Sequence, residues 1–95
     1  MNYDIYISHD TEDIFFVRVC NEVGTETVHR VTVSGEAVRQ LGLGTTGTNS
    51  ILQHAFLFLL ERESPQAIKE EFALMEINDY YPEFEQEIKG RVAIK

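Results

Sequence analysis

Hydrophobic positions recur with a period of two as far as Val33 and with helical spacing after it. Tyr3, Ile5 and Ile7 alternate with Asp4 and Tyr6, the signature of a half-buried strand, and predict a first strand over 2–7. The polar cluster from Ser8 to Asp13 interrupts it as a solvated turn. Ile14 to Cys20, rich in aromatic and β-branched residues, predicts the second strand. Asn21 to Glu26, with Gly24 inside, reads as a hairpin loop. Alternation then resumes from Thr27 to Val33, with Thr27, His29, Val31 and Val33 on one side and Val28, Arg30 and Thr32 on the other. The outcome is a three-stranded antiparallel β-meander in which His29 is free to face solvent.

After Val33 the spacing changes to three and four. Ser34 is an N-cap for a short helix over 35–41, with Ala37, Val38 and Leu41 on its inner face. Gly42 falls where a left-handed C′ residue is wanted, and Leu43 is then placed to fold back onto Val38. A Gly- and Thr-rich link, Gly44 to Asn49, leads to Ser50 and Gln53, whose spacing makes a capping box that opens a central helix. Within Ile51 to Leu60 only Gln53 and His54 are polar, so this helix has almost no polar face and must be enclosed by the chain or by a second copy. It ends near Glu63, since Pro65 disfavours helical geometry at Ser64, and Ser64-Pro65 begins the next helix.

Ile68 and Phe72, four apart, predict an amphipathic helix from Pro65, and Met75 and Ile77 extend its apolar contribution. Tyr80-Tyr81-Pro82 marks a turn. Phe84 and Ile88 define a last short helix from Pro82 that Gly90 ends, and the tail 91–95 is either frayed, the favoured reading, or an edge strand. The expected architecture is one α+β domain over 1–95: a meander in 1–33, a helical part in 34–90 consisting of a short helix, a buried central helix and short C-terminal helices, and a tail in 91–95.

Composition changes this picture only in part. Ninety-five residues, 43% of them hydrophobic, suffice for one core without metal or disulfide support. The apolar run is well short of the ~20 residues that span a bilayer, so no membrane span is expected. No basic and apolar leader follows Met1, and the single Cys20 fits a reducing compartment, which makes the cytoplasm the expected location.

Charge is informative because it is uneven. Of a net −8, residues 61–88 carry −7: nine acids against Arg62 and Lys69. Such a surface disfavours nucleic acid, whose binding rests on Lys and Arg, and suits a basic protein partner. Solvated faces of short helices are the simpler account of the same acids.

Candidate chemistry is sparse. His9, His29 and His54 lack the spacings that place two metal ligands on one face. Asp10, Glu12 and Asp13 share a turn without the pattern of a calcium loop. Gly42, Gly44 and Gly47 precede a helix, but no Lys follows and no strand leads directly into them, so they read as a link rather than a phosphate cradle. Cys20 reads as a buried thiol with no evident base. Tyr3, Tyr6, Phe15 and Phe16 lie on strands and could stack bases, yet only Arg18 and Arg30 supply positive charge nearby, so core packing is the expectation. No catalytic set, metal or cofactor is assigned, and a small enzyme ranks third among the readings.

Two resemblances add to this. The stretch Phe58-Leu59-Leu60-Glu61-Arg62-Glu63-Ser64, followed by Ile68, Phe72, Leu74, Ile77 and Tyr80-Tyr81-Pro82-Glu83-Phe84-Glu85, resembles a group of short uncharacterised bacterial proteins, which implies a bacterial origin and no particular activity. The order of strand Arg30 to Val33, helix 35–41 and helix 51–62 is similar to that of ribbon-helix-helix repressors and antitoxins. That resemblance implies a dimer whose paired strands enter the major groove, with Arg30 and Thr32 reading bases and Ser34 holding a phosphate. The leading expectation is instead a non-enzymatic interaction module, a homodimer burying part of the Phe56 to Leu60 surface, with its acidic helices toward a basic partner. Phe56, Phe58, Leu60, Tyr80 and Tyr81 are its candidate interface residues, and the DNA-binding regulator is the alternative.

Overall fold

A computed structural model describes residues 3–41 and 47–93. The chain is an α+β fold: β1 (Asp4–Thr11), β2 (Ile14–Cys20) and β3 (Glu26–Thr32), then α1 (Gly35–Leu41) and α2 (Thr48–Leu60). A 3-10 turn (Pro65–Ala67), β4 (Glu71–Ala73), a second 3-10 turn (Leu74–Glu76), α3 (Ile77–Tyr80) and α4 (Phe84–Ala93) complete it. The sheet order is β1-β2-β3-β4, with the first three strands antiparallel and β4 parallel to β3. The meander is therefore present, but it is three-quarters of a mixed sheet. No helix among the described residues is long and apolar enough to cross a membrane.

Strand alternation decides which side of the sheet the helices cover. Ile5, Ile7, Phe15, Val17, Val19, His29 and Val31 face the helical layer, where Val17 and Val31 are fully buried. Tyr6, Phe16, Arg18, Val28 and Arg30 lie on the opposite face. β1 extends to Thr11, well beyond the expected 2–7, because Ser8 and His9 pair with Phe16 and Phe15 of β2. Their polarity does not prevent pairing, since the His9 ring stacks on Phe15 at 4.4 Å and covers its face. At the β2–β3 turn, Asn21 Oδ1 accepts from the N–H groups of Val23 and Thr25, and Gly24 takes φ +91, which side-chain-bearing residues rarely adopt.

Three helical expectations are corrected. Ser50 does not cap α2, because the helix begins at Thr48 with Gly47 as its N-cap, which places Ser50 inside the first turn. The contacts expected of Gly42 and Leu43 lie outside the described residues, whereas Ser34 does cap α1, its Oγ accepting from Ala37 N–H at 3.1 Å. The helix expected over Ile68 and Phe72 is one 3-10 turn followed by β4, since the free edge of β3 offers ladder partners: Arg30, Val31 and Thr32 pair with Glu71, Phe72 and Ala73. α4 runs through Gly90 to Ala93 instead of stopping there. Arg91 reaches Glu61 at 2.7 Å and Glu87 at 3.6 Å, and these ion pairs hold the extra turn that glycine weakens.

The core sits between the inner face of the sheet and the layer of α2 and α4. Ile51, Leu52, Ala55, Phe56 and Phe58 of α2 are all 0% exposed, as are Phe84 and Ile88 of α4. Enclosing α2 on several sides takes both layers, so its truncation is costly. Phe58→Ala is expected to lower unfolding free energy by about 3–5 kcal/mol, read by urea denaturation, whereas Leu57→Ala on the open side should cost under about 1 kcal/mol. Gly90 is the opposite case: a Cβ there meets nothing within 4 Å, so Gly90→Ala should raise stability by about 0.5–1 kcal/mol in the same assay.

Candidate functional site

Of the five residues expected at an interface, two are interior. Phe56 contacts the rings of His29 and Phe72, with centroids 5.4 and 6.1 Å away. Phe58 meets Phe84 and Tyr81 edge-on at 5.3 and 5.8 Å, and the Arg62 guanidinium lies 3.6 Å above its ring. The apolar face expected to seek a second copy is thus closed by the chain's own aromatic and cationic side chains. Leu60 is half-buried against the core, Tyr81 is half-buried, and Tyr80 is exposed.

The three residues assigned to DNA are also engaged. β3 has β2 on one edge and, along Arg30 to Thr32, β4 on the other, so the residues expected to form a ribbon have no free edge for a second copy. Arg30 is ion-paired to Glu71 across the β3–β4 ladder, Thr32 pairs with Ile14 and Ala73, and Ser34 Oγ is taken by the α1 cap.

What the fold does build is a groove on the helical side, at the β4 edge of the sheet. Its volume is about 210 Å³, and its floor is Leu59, Ile68, Phe72 and Ile77, all buried. Tyr80, Tyr81, Glu63, Lys69 and Glu76 form its polar rim. Each wall follows from a local break in the chain. α2 ends at Leu60 and Pro65 opens the 3-10 turn that swings Ile68 beneath it, while β4 turns Phe72 inward, and the 3-10 turn into α3 brings Ile77 and Tyr80 to the opposite lip. Glu76 fixes that turn, its Oε2 accepting from Ala73 N–H at 3.2 Å.

His29 pins the segment that carries Lys69. Contrary to the expectation that it could face solvent, it is 1% exposed, and its Nδ1–H donates to the Lys69 carbonyl at 2.7 Å. A carbonyl only accepts, so Nδ1 bears a proton and Nε2 meets the Thr27 hydroxyl at 2.8 Å. Both ring nitrogens are satisfied, which lets a polar ring occupy the core.

Rim electrostatics are local. Lys69 Nζ lies 5.0 Å from the Tyr80 ring centroid and 3.8 Å from Glu76, and the Tyr80 phenol together with Glu76 hold its pKa above the ordinary value. Tyr81 donates its phenolic hydrogen to Glu63 at 2.8 Å, which raises the tyrosine pKa because the phenolate would face a carboxylate. Tyr80 and Tyr81 both line this rim. Glu63, Lys69 and Glu76 were hidden among acids and bases that read equally well as a solvated helix face, and no spacing in the sequence singles them out.

No family model, curated protein or solved structure matches this chain. Its site is therefore read from geometry alone. Among the described residues no group of three or more His, Cys, Asp or Glu side chains is placed to hold a metal ion. Cys20 lies at the end of β2, and His9 Nε2 is taken by the Glu12 carbonyl at 3.0 Å, so neither has the other's help as nucleophile or base. The rim can recognise charge and shape.

The Tyr81–Glu63 bond makes a direct prediction. A folded-state pKa above the unfolded value means that the bond contributes stability below the ordinary tyrosine value of 10.0, and this contribution is lost as pH rises through the higher folded value. In a spectrophotometric titration near 295 nm, with folding followed by circular dichroism, the component removed by Tyr81→Phe should ionise above pH 10. Glu63→Gln should bring that component down, and an unchanged midpoint would show that the bond does not form.

Proposed function

We propose that this chain is a protein-interaction module whose groove receives one large apolar side chain of a partner segment, flanked by Lys or Arg. The observation that carries the reading is an apolar floor of Leu59, Ile68, Phe72 and Ile77 beneath a rim of two tyrosines and two carboxylates. At about 210 Å³ the groove falls below the roughly 300–1,000 Å³ of pockets that enclose drug-sized ligands, and it suits a single anchoring side chain. Tyr80, 59% exposed, supplies the rigid amphipathic surface that recognition hot spots favour.

Charge sets the flanks. Glu63 and Glu76 outnumber Lys69 at the rim, and Glu70 and Asp79, next in sequence to Lys69 and Tyr80, enter no ion pair among the described residues. A partner cation beside the anchor would meet a local excess of carboxylate. An acidic segment would be repelled, which gives the groove a sign preference as well as a shape preference.

Selection of random peptides displayed on phage against the immobilised protein should enrich a large apolar residue next to Lys or Arg. Fluorescence anisotropy with an enriched peptide should show affinity falling with salt, and Tyr80→Ala should weaken it roughly tenfold, about 1.4 kcal/mol. Peptides with no common pattern, or binding indifferent to both Tyr80→Ala and Glu63→Gln, would overturn the assignment.

A further inference from the structure

We infer that the outer edge of β1 pairs with the same edge of a second copy, antiparallel about a two-fold axis centred on Tyr6, so that two sheets become one. The two edges of the sheet are unlike. At one end β4 is three residues long, and its Ala73 N–H is already taken by Glu76. At the other end β1 runs for eight residues, and from Asp4 to Ser8 it holds no proline, no lysine and no inward-facing charge, the devices that keep edge strands apart. Its register irregularity falls later, between His9 and Thr11. Among the described residues, no backbone group from Asp4 to Ser8 makes a backbone hydrogen bond outside the β1–β2 ladder.

The inner side of this edge is apolar and incompletely covered. Val17 and Val31 on the middle strands are fully buried, whereas Ile5 and Ile7 pack on the same core and remain half-buried. Covering them takes apolar side chains spaced two apart on the next strand, and β1 itself has that spacing. Opposite residues of an antiparallel pair share a face, so inner positions must meet inner positions. Centring on Tyr6 sets Ile5 against Ile7, Tyr6 against its own copy and Asp4 against Ser8, with no like charges opposed. Centring on Ile7 opposes Asp4 to Asp10 and runs into the irregularity, and centring on Ile5 pairs only Asp4 to Tyr6 within the strand. Fit in a single register selects the second copy, since a foreign strand would need the same apolar spacing with a neutral residue opposite Asp4. The pairing uses both long edges and leaves only the short β4 ends, so the assembly closes at two instead of growing.

Length sets the strength. Five residues a side make about 17 Å of ladder, a small contact beside the ~1,200 Å² at which specific interfaces begin, so the dimer should be weak. The groove lies at the β4 end of the sheet, and this pairing does not involve it.

Sedimentation velocity from about 10 µM to about 1 mM should show the mass rising from the 10.9 kDa monomer toward twice that value. On dilution, amide shifts in a heteronuclear NMR spectrum should move along Asp4 to Ser8 and stay fixed at Val28 and Tyr80. Ser8 is exposed in the monomer and reports the register. Ser8→Asp sets carboxylates opposite each other twice per dimer and should weaken association roughly twofold to thirtyfold, whereas Ser8→Lys should strengthen it by a similar factor. Adding Asp4→Lys to Ser8→Asp should restore the wild-type affinity, and each variant should keep the wild-type circular dichroism spectrum. A wild-type chain that stays monomeric at ~1 mM overturns the inference, as does a dimer whose dilution shifts fall elsewhere or that is indifferent to all three variants. So does a monomer whose β1 amides move only when an unrelated peptide of alternating Val and Thr is added.

Discussion

Enclosure of α2 is the constraint from which the rest of the molecule follows. A helix with Ile51, Leu52, Ala55, Phe56, Phe58 and Leu59 all buried cannot lie on a surface, and 95 residues leave little chain with which to wrap it. The sheet covers one flank, and α4 covers another with Phe84 and Ile88. The remaining gap over Phe58 is closed by side chains that are not hydrophobic at all. Arg62 lies on the ring, Arg91 approaches it at 5.8 Å, and both are held by Glu61, with Glu83 adding to Arg62 and Glu87 to Arg91. Planar guanidinium groups suit this position because they stack on an aromatic face while their edges remain hydrogen-bonded to carboxylates.

The same constraint explains why the chain returns to the sheet after α2. Having crossed over the inner face, it can bury Phe72 only by coming back beside β3, and three residues of parallel ladder are enough to do so. His29 secures this return from within the core, since its hydrogen bond to the Lys69 carbonyl joins positions forty residues apart. The backbone bond from Arg30 N–H to the Glu70 carbonyl, 2.7 Å long, acts one residue further along the same join. The groove is the by-product of this geometry. A single 3-10 turn at Pro65, a short strand and a tight turn into α3 cannot fill the space beneath the end of α2, and what is left is lined by the apolar residues that each of those pieces turns inward.

Much of the fold was legible because it depends on local pattern. Period-two alternation placed β2 and β3 within a residue of their observed bounds and sorted Val31 from Arg30 correctly, and Ser34 announced α1 through a hydrogen bond that the structure contains. What was not legible depends on partners distant in sequence. Glu71-Phe72-Ala73 has neither the length nor the composition of a strand, and only the vacant edge of β3 makes it one. Gly90 signals an ending by itself, and the override comes from Glu61, thirty residues away, through Arg91. Phe56 and Phe58 were read as an interface with a second copy because the run around them is too apolar for a half-exposed helix, and the sequence does not show which of its sides Arg62, Tyr81 and Phe84 will cover. For the site, Tyr80 and Tyr81 stood out in the sequence as aromatics at a turn, whereas Glu63, Lys69 and Glu76 acquire meaning only when the breaks at Pro65 and Ala73 bring them to one rim.

The acidic C-terminal third shows why net charge misleads as a guide to recognition. Of its nine acids, Glu61, Glu71, Glu76, Glu83, Glu85 and Glu87 are each ion-paired within the chain, so the −7 of that segment is not seven uncompensated charges. Several of these pairs reach outside the segment, to Arg30, Lys89 and Arg91, and serve to hold β4 and α4 in place. Exposed charges more than ~8–10 Å apart are screened at physiological salt, so a partner of the proposed kind would respond to Glu63, Glu76 and Lys69 rather than to the total. On the proposed reading, specificity would reside in the arrangement of one ammonium, two carboxylates and two phenols around an apolar floor. A sequence that kept its charge count but moved Glu63 or Glu76 by one position would keep the isoelectric point and lose the rim.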